Sequence, residues 1–458
     1  MSTTSTDIVI LAAGKGTRMQ SALPKVLHPL AGRPLLEHVL TSADSIANGN
    51  KIIVTGHGAD QVEQAVAQCG AVFVQQTEQL GTAHAVQMAL PHLRSEANVL
   101  ILYGDVPLIS PETISNILGA VDKNHIALLT ISLDDPTGYG RIIRNGAGEI
   151  ESIVEQKDAS AEQLDIKEIN TGVLALGAEQ LHAWLPQINN NNAQGEYYLT
   201  DLIAIARSNG FHINSIHPSS SHEIEGVNNR QQLSRLERAY QLAQAEALML
   251  SGTTLADPKR FDQRGTITAG TDNSIDVNCV FEGDVVLGSG VSIGPNCHIS
   301  DSTIGDGVEI KANSVIESAI VGNGAIVGPF ARLRPGTKLG NNTKVGNFVE
   351  TKKALVGDGS KINHLSYVGD ATLGQGVNIG AGTITCNYDG VNKHTTDIGN
   401  DAFIGSNSTL IAPVSVGDKG FVAAGTSVSK DVPEDSLAVG RAKQRNISGW
   451  KRPTKKDD

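Results

Sequence analysis

Two groups of residues in this chain carry chemistry that a scaffold alone does not need. The first begins with the run LAAGKGTRM at 11–19, followed closely by LPK at 23–25. Gly14 and Gly16 let backbone approach a phosphate chain, and Arg18 and Lys25 put fixed positive charge where phosphate oxygens gather. A Walker loop is excluded because it needs Ser or Thr directly after Gly-Lys, whereas Lys15 precedes Gly16, and a dinucleotide fingerprint would want Gly in place of Met19. The partner segment is VLILYGDVPLI at 99–109, an apolar strand that delivers Asp105 to its end. One carboxylate combined with substrate phosphates is a common way to hold Mg²⁺, which keeps water and oxygen ligands. Taken singly, the glycine run also fits a tight turn and Asp105 a strand-end turn; together they point to phosphate.

The second group lies far along the chain: Arg334 in ARLRPG, Glu350 and Lys352 in NFVETKKA, His364 and Tyr367 in KINHLSYVGD, and Asn378 in GVNIGAGTITCNYDG. A neutral imidazole near pH 7 can take the proton released when an amine attacks a thioester, which makes His364 a candidate base. A lone histidine at a chain corner also fits a structural role. Arg334 and Lys352 favour the chemical reading, because a guanidinium and an ammonium make a phosphate-binding pair.

The elements that position these groups differ in kind. Over the first half, short apolar runs (Ile8–Ala12, Lys51–Thr55, Ala71–Gln75, Val99–Tyr103) alternate with amphipathic stretches, the signature of a parallel sheet wound with helices. Ligands in such folds sit beyond the carboxyl ends of the strands, where both motifs of the first group fall. From Leu287 onward an aliphatic residue returns about every six positions, as at Ile293, Ile299, Ile304, Ile310, Ile316 and Val321, and again from Ile398 to Val428. That period suits neither a helix nor an alternating sheet; it suits a chain that turns a corner after each short strand and buries one aliphatic residue per face, a parallel β-helix. Five-residue steps such as 299→304 read as slips absorbed at corners, and the break at 384–397 reads as an extruded loop. Between the halves, residues 230–250 lack Gly and Pro and repeat apolar residues at Leu233, Leu236, Tyr240, Ala243 and Ala247, predicting one long amphipathic helix. The expected domains are 1–229, a linker helix 230–250, and 251–458.

A chain of 458 residues is too long for one core, and a net charge of −12 without a basic stripe argues against nucleic-acid binding. No stretch approaches the roughly 18 apolar residues of a membrane span, so a soluble cytoplasmic protein is expected. Cys69, Cys279, Cys297 and Cys386 show no C-x-x-C spacing and read as reduced thiols.

The first half resembles the activated-sugar nucleotidyltransferases, through LAAGKGTRM, YGD, QQTEQLGTAHA at 75–85, GYGRI at 138–142 and EINTG at 168–172. The repeat resembles that of the hexapeptide acyltransferases. With HLSYVGD and NIGAGTITCNYDG added, the whole chain resembles bacterial bifunctional N-acetylglucosamine-1-phosphate uridyltransferase/glucosamine-1-phosphate acetyltransferases. That resemblance implies an α/β Rossmann-like nucleotidyltransferase domain with a mixed or parallel sheet, joined by a long α-helix to a left-handed parallel β-helix. It implies substrate contacts from Leu11, Ala12, Ala13, Gly14, Lys25, Tyr103, Gly104 and Asp105, with Arg18 and Lys25 catalytic. Gln76, Gly81 and Thr82 would read uracil, and Gly140, Glu155 and Asn170 would hold the sugar. Asp105 and Asn228 would hold Mg²⁺, nothing local in the sequence marking Asn228. In the second half His364 would deprotonate the amine of glucosamine 1-phosphate, Arg334 and Lys352 would hold its phosphate, and Tyr367 and Asn378 would complete the sugar pocket. Glu350 would orient His364 or balance its charge. Acetyl-CoA would lie against Ala381, Asn387, Tyr388, Ser406, Ala424 and Arg441. UTP, acetyl-CoA and sugar phosphates are the expected partners, and a homotrimer the expected assembly. A single-activity nucleotidyltransferase would need no His364, and a non-catalytic scaffold would need none of the charged and aromatic interruptions at 334–388.

Overall fold

Every residue of Thr6–Ala12 is buried, which a strand achieves when both faces of its sheet are covered. The covering divides by parity: Ile8, Ile10 and Ala12 enter one apolar cluster, Val9 and Leu11 the other. The computed structural model describes residues 5–46 and 48–455. In it this strand, β1, lies inside a sheet formed with β2 (Lys51–Thr55), β3 (Val72–Gln75), β4 (Asn98–Tyr103), β5 (His125–Ser132), β6 (Arg141–Arg144), β7 (Ile150–Val154), β8 (Glu168–Gly177) and β9 (His212–Ile216). The order is β9-β5-β8-β4-β1-β2-β3, with the β6–β7 hairpin attached to β8. Strands β1, β2, β3 and β4 run parallel, whereas β8 is antiparallel to β4 and β5. The sheet is therefore mixed. Its parallel part sends the ends of β1, β3 and β4 to the same edge, bringing Ala13, Gln76 and Asp105 together from distant parts of the chain.

A helix spans Arg230–Leu250. Its first half belongs to the first unit: Leu236 is fully buried in a cluster with Met19, Leu30 and Leu35, the Glu237 carboxylate accepts from the Ala31 N–H at 2.6 Å, and Tyr240 meets the His38 ring edge-on at 5.3 Å. Its second half is buried through Gln241, Ala245 and Leu248, with Gln241 bonded through both amide atoms to the Gln263 backbone. Ala243 and Ala247, expected on the apolar face, are exposed. The chain thus divides inside the helix, into Met1–Tyr240 and Gln241–Asp458.

In the second unit, short parallel strands stack coil upon coil, and three columns of buried residues run up the stack. One passes through Ile275, Ile293, Ile310, Val327, Val345 and Ile362. Another takes Phe281, Ile299, Ile316 and Leu333, and the third Leu287, Ile304, Val321, Leu339, Val356 and Leu373. From Leu287 onward these are the aliphatic positions of the six-residue repeat, one per face; the columns begin a little earlier, at Ile275 and Phe281, and the repeat forms a β-helix. From Ile275 to Leu373 the residues stacked in these columns are 17 or 18 apart, and the shorter coils are those that contain a five-residue step. At one corner the backbone N–H groups of Ser289, Asp306, Asn323 and Asn341 each donate to the Asp or Asn side chain of the next coil. At another corner, Asn296, Asn313, Phe330, Phe348 and Leu365 all take left-handed backbone, φ running from 60° at Asn296 to 48° at Leu365. Asn tolerates that region; Phe and Leu do not favour it. Their coils hold the turn because the strands on either side are paired in register.

The break in the repeat is narrower than the sequence suggests. Ile384–Cys386 and Thr396–Ile398 remain strands of the stack, and the residues between them project, pinned by a bridge between Tyr388 and Lys393. All four cysteines are free. No helix among the described residues is long and apolar enough to cross a membrane.

Candidate active sites

A cavity of about 240 Å³ opens at the carboxyl edge of the first unit's sheet. Leu11, Ala12, Ala13 and Gly14 line it from the end of β1, Gln76 from just beyond β3, Tyr103 and Asp105 from the end of β4, and Gly81 and Thr82 from the start of the helix Thr82–Ala89. Lys25 also lines it, as do Val26, Gln79, Ala85 and Glu196, which the sequence did not single out. Gly104 sits behind this wall, its N–H bonded to the Leu11 carbonyl at 2.9 Å.

Two glycines are required by geometry. Gly16 has φ +58°, and a Cβ there would stand 2.6 Å from the Lys25 Cβ, so its absence lets Lys25 close against the loop. Gly81 has φ +118°, and a Cβ there would stand 2.5 Å from the Tyr197 carbonyl oxygen. The neighbouring Thr82 hydroxyl accepts from the Leu199 N–H at 3.0 Å, fixing the helix start.

At the cavity mouth Lys25 Nζ forms an ion pair with Asp105 Oδ2 and lies 3.3 Å from Asn228 Oδ1. Arg18 Nη2 donates to the same Asn228 oxygen at 2.9 Å. Asn228 arrives because the Val227 N–H bonds the Asp105 carbonyl at 2.9 Å, a long-range tie with no local sequence signature. Two side-chain oxygens converging on one cationic nitrogen form a donor set that suits a hard, oxygen-seeking ion. Among the described residues no cluster of three or more His, Cys, Asp or Glu could hold a metal by itself. Mg²⁺ at this oxygen pair would complete its shell from phosphate or water.

Deeper in the unit, the Asn170 N–H bonds the Gly140 carbonyl at 2.9 Å, and Glu155 accepts from the Thr200 hydroxyl at 3.2 Å. Burial holds the Glu155 carboxyl above the ordinary range; Thr200 pulls it back, and the charges of Asp158, Asp201 and Glu196 add to the rise. Burial likewise pushes the Tyr103 phenol well up, helped by the charges of Glu155 and Asp105. A carboxyl and an amide in a desolvated wall suit sugar hydroxyls, which need neutral or hydrogen-bonding partners.

In the second unit His364 is exposed, immediately before the left-handed corner at Leu365. Its Nδ1 lies 2.7 Å from Asn347 Oδ1 on the adjacent coil, with which it is in register. The amide oxygen accepts, so Nδ1 carries the proton and Nε2 presents its lone pair. The partner of the ring is Asn347, while Oε1 of Glu350 is engaged by Arg334 Nη1 at 2.7 Å. Tyr367 is stacked in register on Glu350. Lys352 Nζ stands 3.8 Å from Asp370 Oδ2, and the Asn387 amide donates to that same carboxylate and reaches the Tyr367 hydroxyl at 3.4 Å. Lys393, unmarked in the sequence reading, comes from the projecting hairpin against Lys352, whose hydrogen-bond competition and charge depress its pKa. Its signal was the hairpin itself, since loops on rigid scaffolds concentrate polar function. Asn378 lies in register with Lys361 and Phe403 on the neighbouring coils.

Ala381, Ser406 and Ala424 form a strip up the stack: the Asn407 N–H bonds the Ala381 carbonyl at 2.7 Å, and the Gly425 N–H the Ser406 carbonyl at 2.8 Å. Arg441 closes the strip by donating to the Ala424 carbonyl at 2.6 Å. Tyr388 lies in the hairpin, its hydroxyl donating to the Gly390 carbonyl at 2.5 Å.

Three known domain families match parts of the chain: the MobA-like NTP transferase domain over residues 8–160, the GMPPB C-terminal domain over 264–347, and the hexapeptide repeat of succinyl-transferase over 396–430. Full-length relatives are much closer. The bifunctional protein GlmU of Marinobacter nauticus is 58% identical over 98% of this chain and 99% of its own. The chain belongs to the GlmU family. The GlmU proteins of Cellvibrio japonicus and Stutzerimonas stutzeri are 58% and 57% identical, over 98% and 99% of this chain. Because the GlmU likeness runs end to end, it spans both candidate sites and the helix between them. Among solved structures, a UDP-glucose pyrophosphorylase complexed with UDP-glucose covers 52% of this chain at 18% identity, with a TM-score of 0.44.

Proposed function

We propose that this enzyme makes UDP-N-acetylglucosamine in two steps, one in each unit. In the second unit the free amine of glucosamine 1-phosphate attacks the thioester carbon of acetyl-CoA. The C–N bond forms, the C–S bond breaks, and CoA leaves as its thiolate while the amine proton passes to His364 Nε2. Arg334 and Lys352 hold the sugar phosphate, Tyr367 and Asn378 the ring, and the strip Ala381–Ser406–Ala424 with Asn387, Tyr388 and Arg441 carries the acetyl-CoA arm. Small side chains along that strip let a pantetheine pack closely, and the Arg441 guanidinium is suited to a CoA phosphate.

In the first unit a phosphate oxygen of N-acetylglucosamine 1-phosphate attacks the α-phosphorus of UTP. A P–O bond forms to the sugar phosphate as the bond to the β-phosphate breaks, and pyrophosphate leaves. No nucleophilic side chain is required, because phosphoryl and nucleotidyl transfer are mainly alignment and charge neutralisation. Lys25 and Arg18 supply cationic groups beside the departing charge, Gln76, Gly81 and Thr82 face the base, and Gly140, Glu155 and Asn170 the sugar. Mg²⁺ held by Asp105 and Asn228 would neutralise further polyphosphate charge.

The observation that carries the reading is the presence of two separately built sites. One gathers Lys25, Arg18, Asp105 and Asn228 at a cavity mouth; the other presents an exposed imidazole held by Asn347, on a β-helix whose nearby coils carry Arg334 and Lys352. The reading includes a soluble, cytoplasmic homotrimer, the flat faces of the β-helix being suited to three-fold packing. Purified protein should consume acetyl-CoA with glucosamine 1-phosphate, and release pyrophosphate from UTP with N-acetylglucosamine 1-phosphate. Failure of either assay on folded protein removes the corresponding half.

A further inference from the structure

The Gln76 side chain is 3% exposed and lines the cavity of the first unit. Its amide nitrogen donates to two acceptors at once: the Gly81 carbonyl at 3.1 Å and His84 Nδ1 at 3.1 Å. An amide nitrogen has two hydrogens, so both are committed. Turning the amide over would set its oxygen against two lone pairs, and the Gly81 carbonyl cannot change role to accommodate that. Among the described residues Gln79 donates to the Gln76 backbone carbonyl, at 3.2 Å. What Gln76 has left to offer is its Oε1, an acceptor.

His84 stands on the helix Thr82–Ala89 behind this wall and is not among the residues that line the cavity. Accepting at Nδ1 makes it the neutral tautomer with its proton on Nε2. We propose that His84 is a positioning residue for base selection, holding the Gln76 amide with its oxygen toward the cavity so that this wall accepts from the N3–H of uracil and repels the N3 lone pair of cytosine. The inference rests on the reading that the first unit takes UTP. It adds a residue that never touches the nucleotide and a physical reason for discrimination. A site built to pair one hydrogen-bond pattern rejects its inverse because the mismatched polar groups are left facing each other in a desolvated wall.

The test is the ratio of kcat/KM for UTP to that for CTP, from pyrophosphate release with N-acetylglucosamine 1-phosphate, in wild type, His84→Ala and His84→Asn. Alanine leaves Gly81 alone to fix the amide, so the ratio should fall roughly five- to tenfold, the worth of one hydrogen bond. The fall should come mainly from a higher KM for UTP, with kcat retained. Asparagine can place an amide oxygen where Nδ1 stood, and should restore the ratio to within about twofold of wild type. Alanine favours helix more than histidine does, and a retained kcat for uridyl transfer, with an unchanged melting transition of the first unit, reports that this unit is folded; His84→Leu repeats the test if the alanine variant is not. A ratio unchanged in both apolar variants, or lowered equally in His84→Asn, overturns the role of His84 while leaving the UTP reading intact. A wild type that uses CTP as well as UTP overturns that reading and the inference with it.

Discussion

Replacing His364 with alanine should lower kcat for acetyl transfer by roughly 10²- to 10⁴-fold, the range expected when a general base is removed. The structure divides that loss into proton acceptance by the ring and orientation by Asn347, whose oxygen lies 2.7 Å from Nδ1. Asn347→Ala deletes one neutral hydrogen bond at a partly exposed position, worth about 1 kcal/mol net, so kcat should fall only about fivefold. In the double variant there is no ring left to orient, and the Asn347 change should add nothing to the His364 loss. Release of CoA thiol, followed from pH 6 to 9, measures all four chains. Raising the pH should partly rescue His364→Ala, since an amine already deprotonated in solution needs no base. A His364→Ala enzyme that keeps more than about a third of its activity at neutral pH would refute the reasoning and make the histidine a corner residue. An Asn347→Ala penalty as large without His364 as with it would refute the orienting role.

Asp105→Ala should abolish metal-dependent uridyl transfer and leave acetyl transfer near wild type, checked by assaying both reactions on one preparation; equal damage would indicate a folding defect. Glu155→Gln should stabilise the first unit at neutral and higher pH, because burial raises the folded pKa of Glu155 above its unfolded value. A raised carboxyl pKa contributes stability that is full below the unfolded value and lost as pH rises through the folded one. The gain in Tm over wild type should therefore close on acidification below about pH 4, the ordinary carboxyl range. A fragment ending at 229 should be less stable than one ending at 240, because it lacks the fully buried Leu236; a loss of about 2–5 kcal/mol, typical for removing a buried leucine, is expected in denaturant melts.

The β-helix was legible because its rule is periodic and local: one buried aliphatic per face is written directly into Ile293, Ile299 and Ile304. The residues at the end of β1 and β4 were legible for a related reason, since a strand's carboxyl end and its ligand edge coincide in a wound sheet. What the sequence hid depends on long-range ties. Asn228 reaches Asp105 through a backbone bond from Val227, and Asn347 becomes the partner of His364 only because coil register places it there. Glu350, nearer in type to a histidine partner, is taken by Arg334. The helix misled in its second half because Ala243 and Ala247 obey a helical period, while burial is set by the surface the helix meets.

The stacked coils also set a rule for how the second half tolerates change in length. Paired residues of the stack stand 17 or 18 apart as far as the projecting hairpin, where Gln375 and Asn400 are 25 apart yet still bond at 2.9 Å, and 16 apart in the last coil, where Phe421 pairs with Leu437. Added residues there leave the stack as a hairpin, and the columns above resume undisturbed. A single residue inserted within a strand has no such exit; it would turn every later aliphatic in that coil from the interior to the solvent side until the next corner absorbed it. Viable length variants should thus come as whole coils or as changes at the hairpin, making the second half a molecule whose size is counted in turns.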